Sequence, residues 1–213
     1  MAASKRKRDD AGELRIIAGQ WRSRKLRFPT VAGVRPTPNR VRETLFNWLQ
    51  PWLPGARCLD LFAGSGALGL EALSRGAGEV VLVERHPQVA AALRANLALL
   101  KAATAEAVET DAVSFLAYGP VNAFDIVFLD PPFDPEPGAD AVLVRCCALL
   151  ESRGWLKPQG LVYLEAPAGP VPPVPPAWTP IRGKQAGKVG YHLLRRHESA
   201  RSNTDIPKPP AGN

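Results

Sequence analysis

Four acidic residues and one short turn carry the chemistry that this sequence could do. Asp130, Pro131, Pro132 and Phe133 follow an apolar run that begins at Phe124. Two consecutive prolines forbid both continued strand pairing and an immediate helix, so the chain stops abruptly at the end of a buried strand. In open α/β sheets that edge is where ligands bind. Here it carries an acceptor (Asp130), rigid prolines whose carbonyls stay free, and an aromatic face (Phe133). A carboxylate beside a flat ring suits a planar base with an exocyclic amine, which needs an acceptor for its protons and a surface to stack on. A plain proline-rich turn after a strand would read the same way on its own; a second motif upstream separates the two.

That motif is Asp60-Leu61-Phe62-Ala63-Gly64-Ser65-Gly66-Ala67-Leu68-Gly69, placed between a strand and a helix, with Glu84 ending the next strand. Gly64, Gly66 and Gly69 satisfy the dinucleotide pattern, and an acid about twenty residues further on suits ribose hydroxyls, so a nicotinamide dehydrogenase is the first rival. Asp60 argues against it, because a carboxylate at the strand tip repels a pyrophosphate and attracts a ligand with an ammonium and a sulfonium. The chain also has no room for a conventional substrate domain, and no Lys, His or Tyr stands in an obvious hydride-transfer arrangement. S-adenosylmethionine fits better: it is cationic at sulfur, and its ribose needs a carboxylate such as Glu84. The glycines then serve close backbone approach. Asp111, between a strand and a short helix, is placed to accept from the adenine amino group and can also cap that helix.

The elements that position these residues follow from periodicity. Arg57 to Phe62, Glu79 to Glu84, Ala105 to Glu109, Phe124 to Asp130 and Leu161 to Glu165 read as strands. Gly66 to Arg75, Pro87 to Leu100, Val113 to Tyr118 and Ala139 to Arg153 read as the helices between them. Such alternation predicts parallel pairing with right-handed crossovers. A proline-rich connector from Pro167 to Pro180 and a final strand from Gly190 to Arg196 complete the body. The expected architecture is α/β: a mostly parallel sheet with helices on both faces. An N-terminal β-hairpin and helix precede it.

Residues 1–12 are expected to be a disordered basic tail, 13–54 an arm, 55–197 the catalytic domain and 198–213 a disordered tail. In the arm, LRIIAG and KLRFP predict a hairpin joined by Gln20 to Arg24. A helix follows, capped by Thr37 or Asn39, with Val41, Leu45, Phe46, Trp48 and Leu49 at helical spacing and Pro51 and Pro54 ending it.

Charge is distributed unevenly. Met1 to Arg42 holds twelve Lys and Arg against three Asp and Glu, net +9, whereas the rest of the chain nets −2, which sums to the chain's +7. That asymmetry marks a phosphate-binding arm on a nearly neutral domain. Its candidate nucleic-acid contacts are Arg15, Arg22, Arg24, Lys25, Arg27, Arg35, Arg40 and Arg42, the last two expected to face away from the core. A merely solubilising tail would explain Lys5 to Arg8 as well, but not arginines interleaved with apolar residues. Neither the three cysteines nor the three histidines have metal-ligand spacing, so no metal is expected. The N-terminus lacks the apolar segment of a secretory signal, and a cytoplasmic monomer is expected.

Asp60 to Gly69, Glu84, Asp111 and Asp130 to Phe133 resemble the ordered motifs of class I S-adenosylmethionine-dependent methyltransferases. RIIAGQWRSRKL, RPTPNRVRETLFNWL, LDLFAGSGALGLEALSRGA and FLDPPF resemble, more narrowly, the bacterial 16S ribosomal RNA guanine-N2 methyltransferases of the small subunit. The resemblance covers residues 14 to about 196. It implies a Rossmann-like, seven-stranded form of the sheet, and methylation of a guanine N2 in 16S rRNA within the small ribosomal subunit and its proteins. It also implies a cofactor site of Asp60, Phe62, Ala63, Gly64, Ser65, Gly66, Glu84, Arg85, Asp111, Ala112 and Asp130, with Asp130, Pro131, Pro132 and Phe133 at the reacting base. A DNA adenine-N6 methyltransferase and a non-catalytic RNA-binding module remain alternatives.

Overall fold

The computed structural model describes residues 11–31, 37–120, 122–132 and 139–197. Five strands form the parallel part of the sheet: β3 (Arg57–Asp60), β4 (Glu79–Glu84), β5 (Ala105–Glu109), β6 (Phe124–Leu129) and β7 (Leu156–Pro167). β1 (Ala11–Arg15) and β2 (Lys25–Pro29) make a separate antiparallel pair. β8 (Trp178–Ala186) and β9 (Val189–Arg196) close the main sheet, whose order is β5-β4-β3-β6-β7-β9-β8 over seven strands. Within that sheet, only the pairs involving β9 are antiparallel. The expected seven-stranded, mostly parallel sheet is therefore present.

Runs such as Val80 to Val83 and Ile126 to Leu129 are buried along their whole length because helices cover both faces. One face packs against α1 (Asn39–Leu49), α2 (Gly69–Ser74), α3 (Pro87–Leu100) and the β1–β2 hairpin, through Leu45, Phe46, Leu70, Leu93, Phe128 and Tyr163. The other packs against α4 (Ala112–Ala117) and α5 (Ala139–Ser152), through Leu116, Val127, Cys146, Leu150 and Trp155. α3 begins with Pro87 in its first turn and ends at Lys101 in the left-handed region, whose N–H caps the carbonyls of Leu97 and Ala98. No helix among the described residues is long and apolar enough to cross a membrane.

Several expectations are corrected. β1 starts at Ala11, inside the segment expected to be a disordered tail; Ile16 still bonds across the hairpin to Ser23 and Arg24, and Ile17 and Ala18 then turn to Glu71 on α2. Neither Thr37 nor Asn39 caps α1; Pro38 takes the cap position, and Asn39 Oδ1 instead accepts from Arg42. β3 ends at Asp60 and α2 begins only at Gly69, so the glycine loop is longer than expected. The segment expected as a connector to Pro180 already contains the start of β8, an edge strand that tolerates Pro180 because one side needs no ladder bonds and its register shifts there. Of the tails expected at 1–12 and 198–213, residues 1–10 and 198–213 lie outside the described residues.

Candidate active site

The carboxyl ends of four neighbouring parallel strands each carry an acid: Asp60 on β3, Glu84 on β4, Asp130 after β6 and Glu165 on β7. The glycine loop lies across the first two. Leu61 N–H donates to Phe128 O on one side and Ala63 N–H to Val83 O on the other, so the loop is tied to both flanking strands. Gly64 and Gly66 have φ of 50° and 81°, which side chains resist. A Cβ on Gly69 would come within 2.2 Å of Leu82 Cδ2, so only glycine lets α2 pack this closely on β4.

Asp60 is 1% exposed. Its Oδ2 accepts from Gly69 N–H at 3.0 Å, while its Oδ1 is buried without a hydrogen-bond partner. Burial pushes its pKa up to about 7; the Gly69 N–H and, more weakly, the Phe62 N–H oppose the rise, and the charges of Asp130 and Glu84 add to it. Such an under-satisfied acceptor beside the glycine loop suits a cationic ligand. Glu84 takes Gly64 N–H at 2.9 Å and His86 N–H at 2.7 Å, so the residue expected at the ribose also holds the loop's shape. Asp111 caps α4 by accepting from Ser114 N–H at 2.9 Å, and the bonds from Ser114 hold its carboxyl below the usual range. It is exposed at the same sheet edge, compatible with the second role expected of it.

Ser65, Gly66, Ala63 and Ala112 are buried in the loop and the α4 start, Phe62 is half-buried and Arg85 is exposed. Asp130 is half-buried, Pro131 buried and Pro132 exposed. Asp130 Oδ2 accepts from Thr37 Oγ1 at 3.1 Å, which ties the segment leading into α1 to the tip of β6. Phe133 and Arg35 lie outside the described residues.

Glu165 and Tyr163 were missed by sequence reasoning. Their signal was present: Val127-Phe128-Leu129-Asp130 and Val162-Tyr163-Leu164-Glu165 are the same pattern, and the first three residues of each pair in register. Tyr163 Oη donates to Glu165, and Glu165 stands beside Asp130 at the ends of adjacent strands. Burial first, then the Asp130 charge, raises the Glu165 pKa, and burial raises that of Asp130.

Of the arm's cations, Arg15, Arg22, Arg24, Lys25, Arg27 and Arg40 are exposed; Lys25 pairs with Glu13 at 3.0 Å. Arg42 corrects an expectation. It is 1% exposed, pairs with Glu71 and donates to Arg15 O and Asn39 Oδ1, so it cannot reach a nucleic-acid phosphate. At i+2 from Arg40 on a helix it falls on a different face, among Val41, Leu45 and Phe46.

The family model described as Conserved hypothetical protein 95 matches residues 14–195. The chain is 48% identical over 196 residues to ribosomal RNA small subunit methyltransferase D of Escherichia coli (strain K12), covering 92% of this chain and 96% of that one. It is 45% identical over 188 residues to the protein of the same name from Haemophilus influenzae, covering 86% and 94%. The solved structure of yhhF from Escherichia coli superposes with a TM-score of 0.81 at 47% identity, covering 88% of this chain and all of that one.

Proposed function

The chain belongs to the family of the ribosomal RNA small subunit methyltransferases D, and we propose that it methylates the exocyclic N2 amine of a guanine in 16S rRNA, with S-adenosylmethionine as methyl donor. The observation that carries the proposal is the juxtaposition at one sheet edge of a buried, half-satisfied Asp60, a loop-holding Glu84 and an Asp130 carboxylate before two prolines.

When bound, S-adenosylmethionine would supply an electrophilic methyl, with the C–S electron pair staying on sulfur as a neutral thioether once the amine lone pair has formed the C–N bond. The chain's own residues do the rest. Asp60 would face the cationic amino-acid end, Glu84 would take the ribose, and Asp111 would accept from the adenine amine. Asp130, with the Pro131 carbonyl, accepts the guanine amine protons, which localises a lone pair otherwise delocalised into the ring. The methylated nitrogen is cationic and sheds a proton readily, so Asp130 need not be a strong base. Phe133 stacks on the flipped base, worth roughly 1–3 kcal/mol against the few that flipping costs. Alignment dominates the acceleration, since holding both reactants is worth about 7–11 kcal/mol.

Arg15, Arg22, Arg24, Lys25, Arg27 and Arg40 bind rRNA phosphates. Reversing charge at Arg22, Arg24 and Lys25 should flatten the log-affinity against log-salt slope by about 0.7 for each phosphate no longer neutralised, with cofactor affinity kept. The substrate is 16S rRNA within an assembled or assembling small subunit, and the test is mass spectrometry of nucleosides after treatment of free 16S rRNA, small subunits from cells lacking the enzyme, and duplex DNA. N2-methylguanosine from the subunit is the expected result. N6-methyladenine from DNA alone would overturn the reading, and no product with cofactor bound would favour a binding module.

A further inference from the structure

Guanine recognition as described uses one carboxyl at the tip of β6, yet the structure places two there. β6 and β7 run parallel with Phe128 opposite Tyr163 and Leu129 opposite Leu164, so the residues that follow, Asp130 and Glu165, end adjacent strands side by side. In-register neighbours on parallel strands direct their side chains to the same face, so the two carboxyls stand close together, and the Asp130 charge raises Glu165. An ionised carboxylate only accepts, so a hydrogen bond between the two would require a proton on one of them.

We propose that Glu165 is a positioning residue for methyl transfer, holding that proton and donating it in a hydrogen bond to Asp130, so that the Asp130 carboxylate stays charged and fixed in orientation. This role rests on the methyltransferase function proposed for the site. Two features place the proton on Glu165. Its side chain is less accessible, at 5% exposure, whereas Asp130 is half-buried. Thr37 Oγ1 already donates to Asp130 Oδ2, which favours the anion there. Tyr163 Oη donates to Glu165 Oε1 from within the core; that bond opposes protonation of Glu165 but fixes the orientation of its carboxyl, and burial with the Asp130 charge outweighs it. Burial raises both groups, and the Asp130 charge raises Glu165 further.

Among the described residues, the titratable groups facing the pair are Asp60 from β3, Tyr163 on β7 and Tyr191, which pairs with Glu165 from β9, while Glu84 on β4 acts through Asp60. No cation among the described residues raises or lowers Asp130, so a lone Asp130 in this setting would be pushed by burial towards the neutral form, which cannot accept both amine protons. Sharing one proton between two carboxyls keeps a single negative charge at the reacting nitrogen. Loss of that proton at alkaline pH leaves two repelling carboxylates and frees Asp130 to turn away.

The test is single-turnover methyl transfer to small subunits from cells lacking the enzyme, from mildly acidic to mildly alkaline pH, with wild type, Glu165→Gln and Glu165→Ala. Glu165→Ala should be slower at neutral pH by about tenfold, the loss of one charge-assisted hydrogen bond. Glu165→Gln retains an N–H donor and should recover most of that loss. It cannot titrate, so its rate relative to wild type should rise with pH as the wild-type rate falls. Asp60 titrates in all three proteins and cancels in the ratio. Calorimetry should give the same S-adenosylmethionine affinity for all three. Parallel pH profiles, or a glutamine variant as damaged as the alanine one, would overturn the inference even with the parent activity intact. If the alanine variant fails to fold, the pH ratio of the glutamine variant decides alone. Absence of transfer by wild type would overturn the methyltransferase function itself.

Discussion

Glu71 and the Asp130–Glu165 pair are buried carboxyls within one domain, yet their surroundings are opposite. Glu71, 0% exposed on α2, receives Ile17 N–H at 2.8 Å, Ala18 N–H at 3.0 Å, Arg75 Nε at 2.7 Å and Arg42 Nη1 at 3.5 Å. Two cations and two backbone donors saturate it, and those donors come from the hairpin exit, α1 and α2. Its role is to weld the N-terminal arm to the catalytic body. At the sheet edge the acids face each other, Asp60 keeps an oxygen without a partner, and Asp130 has one hydroxyl and one acid for company. Orphaned polar atoms alone do not separate the two, since Arg42 Nε beside Glu71 also lacks a partner. What differs is charge: Glu71 sits between two guanidinium groups, whereas the acids at the sheet edge are raised by one another, a setting that suits a cationic ligand.

The contrast breaks most visibly at Glu71. Glu71→Ala should strand the buried Arg42 guanidinium and two backbone N–H groups, destabilising the fold by about 3–5 kcal/mol. For a domain of this size that is a fall in Tm of roughly 10 °C, read by thermal denaturation. Asp130→Ala should do the reverse: stability held or raised, because a buried acid is removed, but single-turnover methylation slower by about a hundredfold. If Asp130→Ala melted early and still methylated, the two roles would have been assigned the wrong way round.

Glu84 tests the boundary between the two classes, since it both holds Gly64 and His86 and is expected to hold ribose. Glu84→Ala should weaken S-adenosylmethionine binding by roughly 1.5–3 kcal/mol, tenfold or more, by calorimetry. An unchanged Kd in a folded protein would leave Glu84 as loop scaffolding only.

Much of this contrast is legible in the amino-acid sequence. β4, α3 and β5 carry the boundaries that periodicity assigns, because each is a continuous apolar or amphipathic run with proline or polar residues at its ends. Asp60, Glu84 and Asp130 stand out by their places at strand ends. What stays hidden depends on partners distant in sequence. Arg42 reads as a basic face until Glu71, 29 residues on, is known to lie beneath it. Thr37 reads as a helix cap until Asp130, 93 residues away, turns out to be its partner. β8 escapes because proline content argues against a strand unless the strand is known to lie at an edge.

The smallest expected effect is also the most direct test of the charge deficit. Asp60 is raised to about 7 by burial, so near neutrality it is part protonated before ligand binds. For an acid whose pKa is raised on folding, the stabilising contribution is complete below its unfolded value, about 3.9, and is lost as pH rises through the folded value. The ligand-free protein should therefore lose stability from mildly acidic pH through neutrality on this account, and Asp60→Asn should abolish that part of the loss. A cationic ligand reverses the balance, because it binds the ionised form and expels the proton. S-adenosylmethionine affinity should thus strengthen as pH rises towards about 7, by at most tenfold per pH unit, and level off above it. In Asp60→Asn the same titration should be flatter, so the ratio of the two affinities isolates this group from protons on the ligand itself. Equal pH dependence in the two proteins would place the cationic end of the cofactor elsewhere, and Asp60 would join Glu71 as a residue of the scaffold.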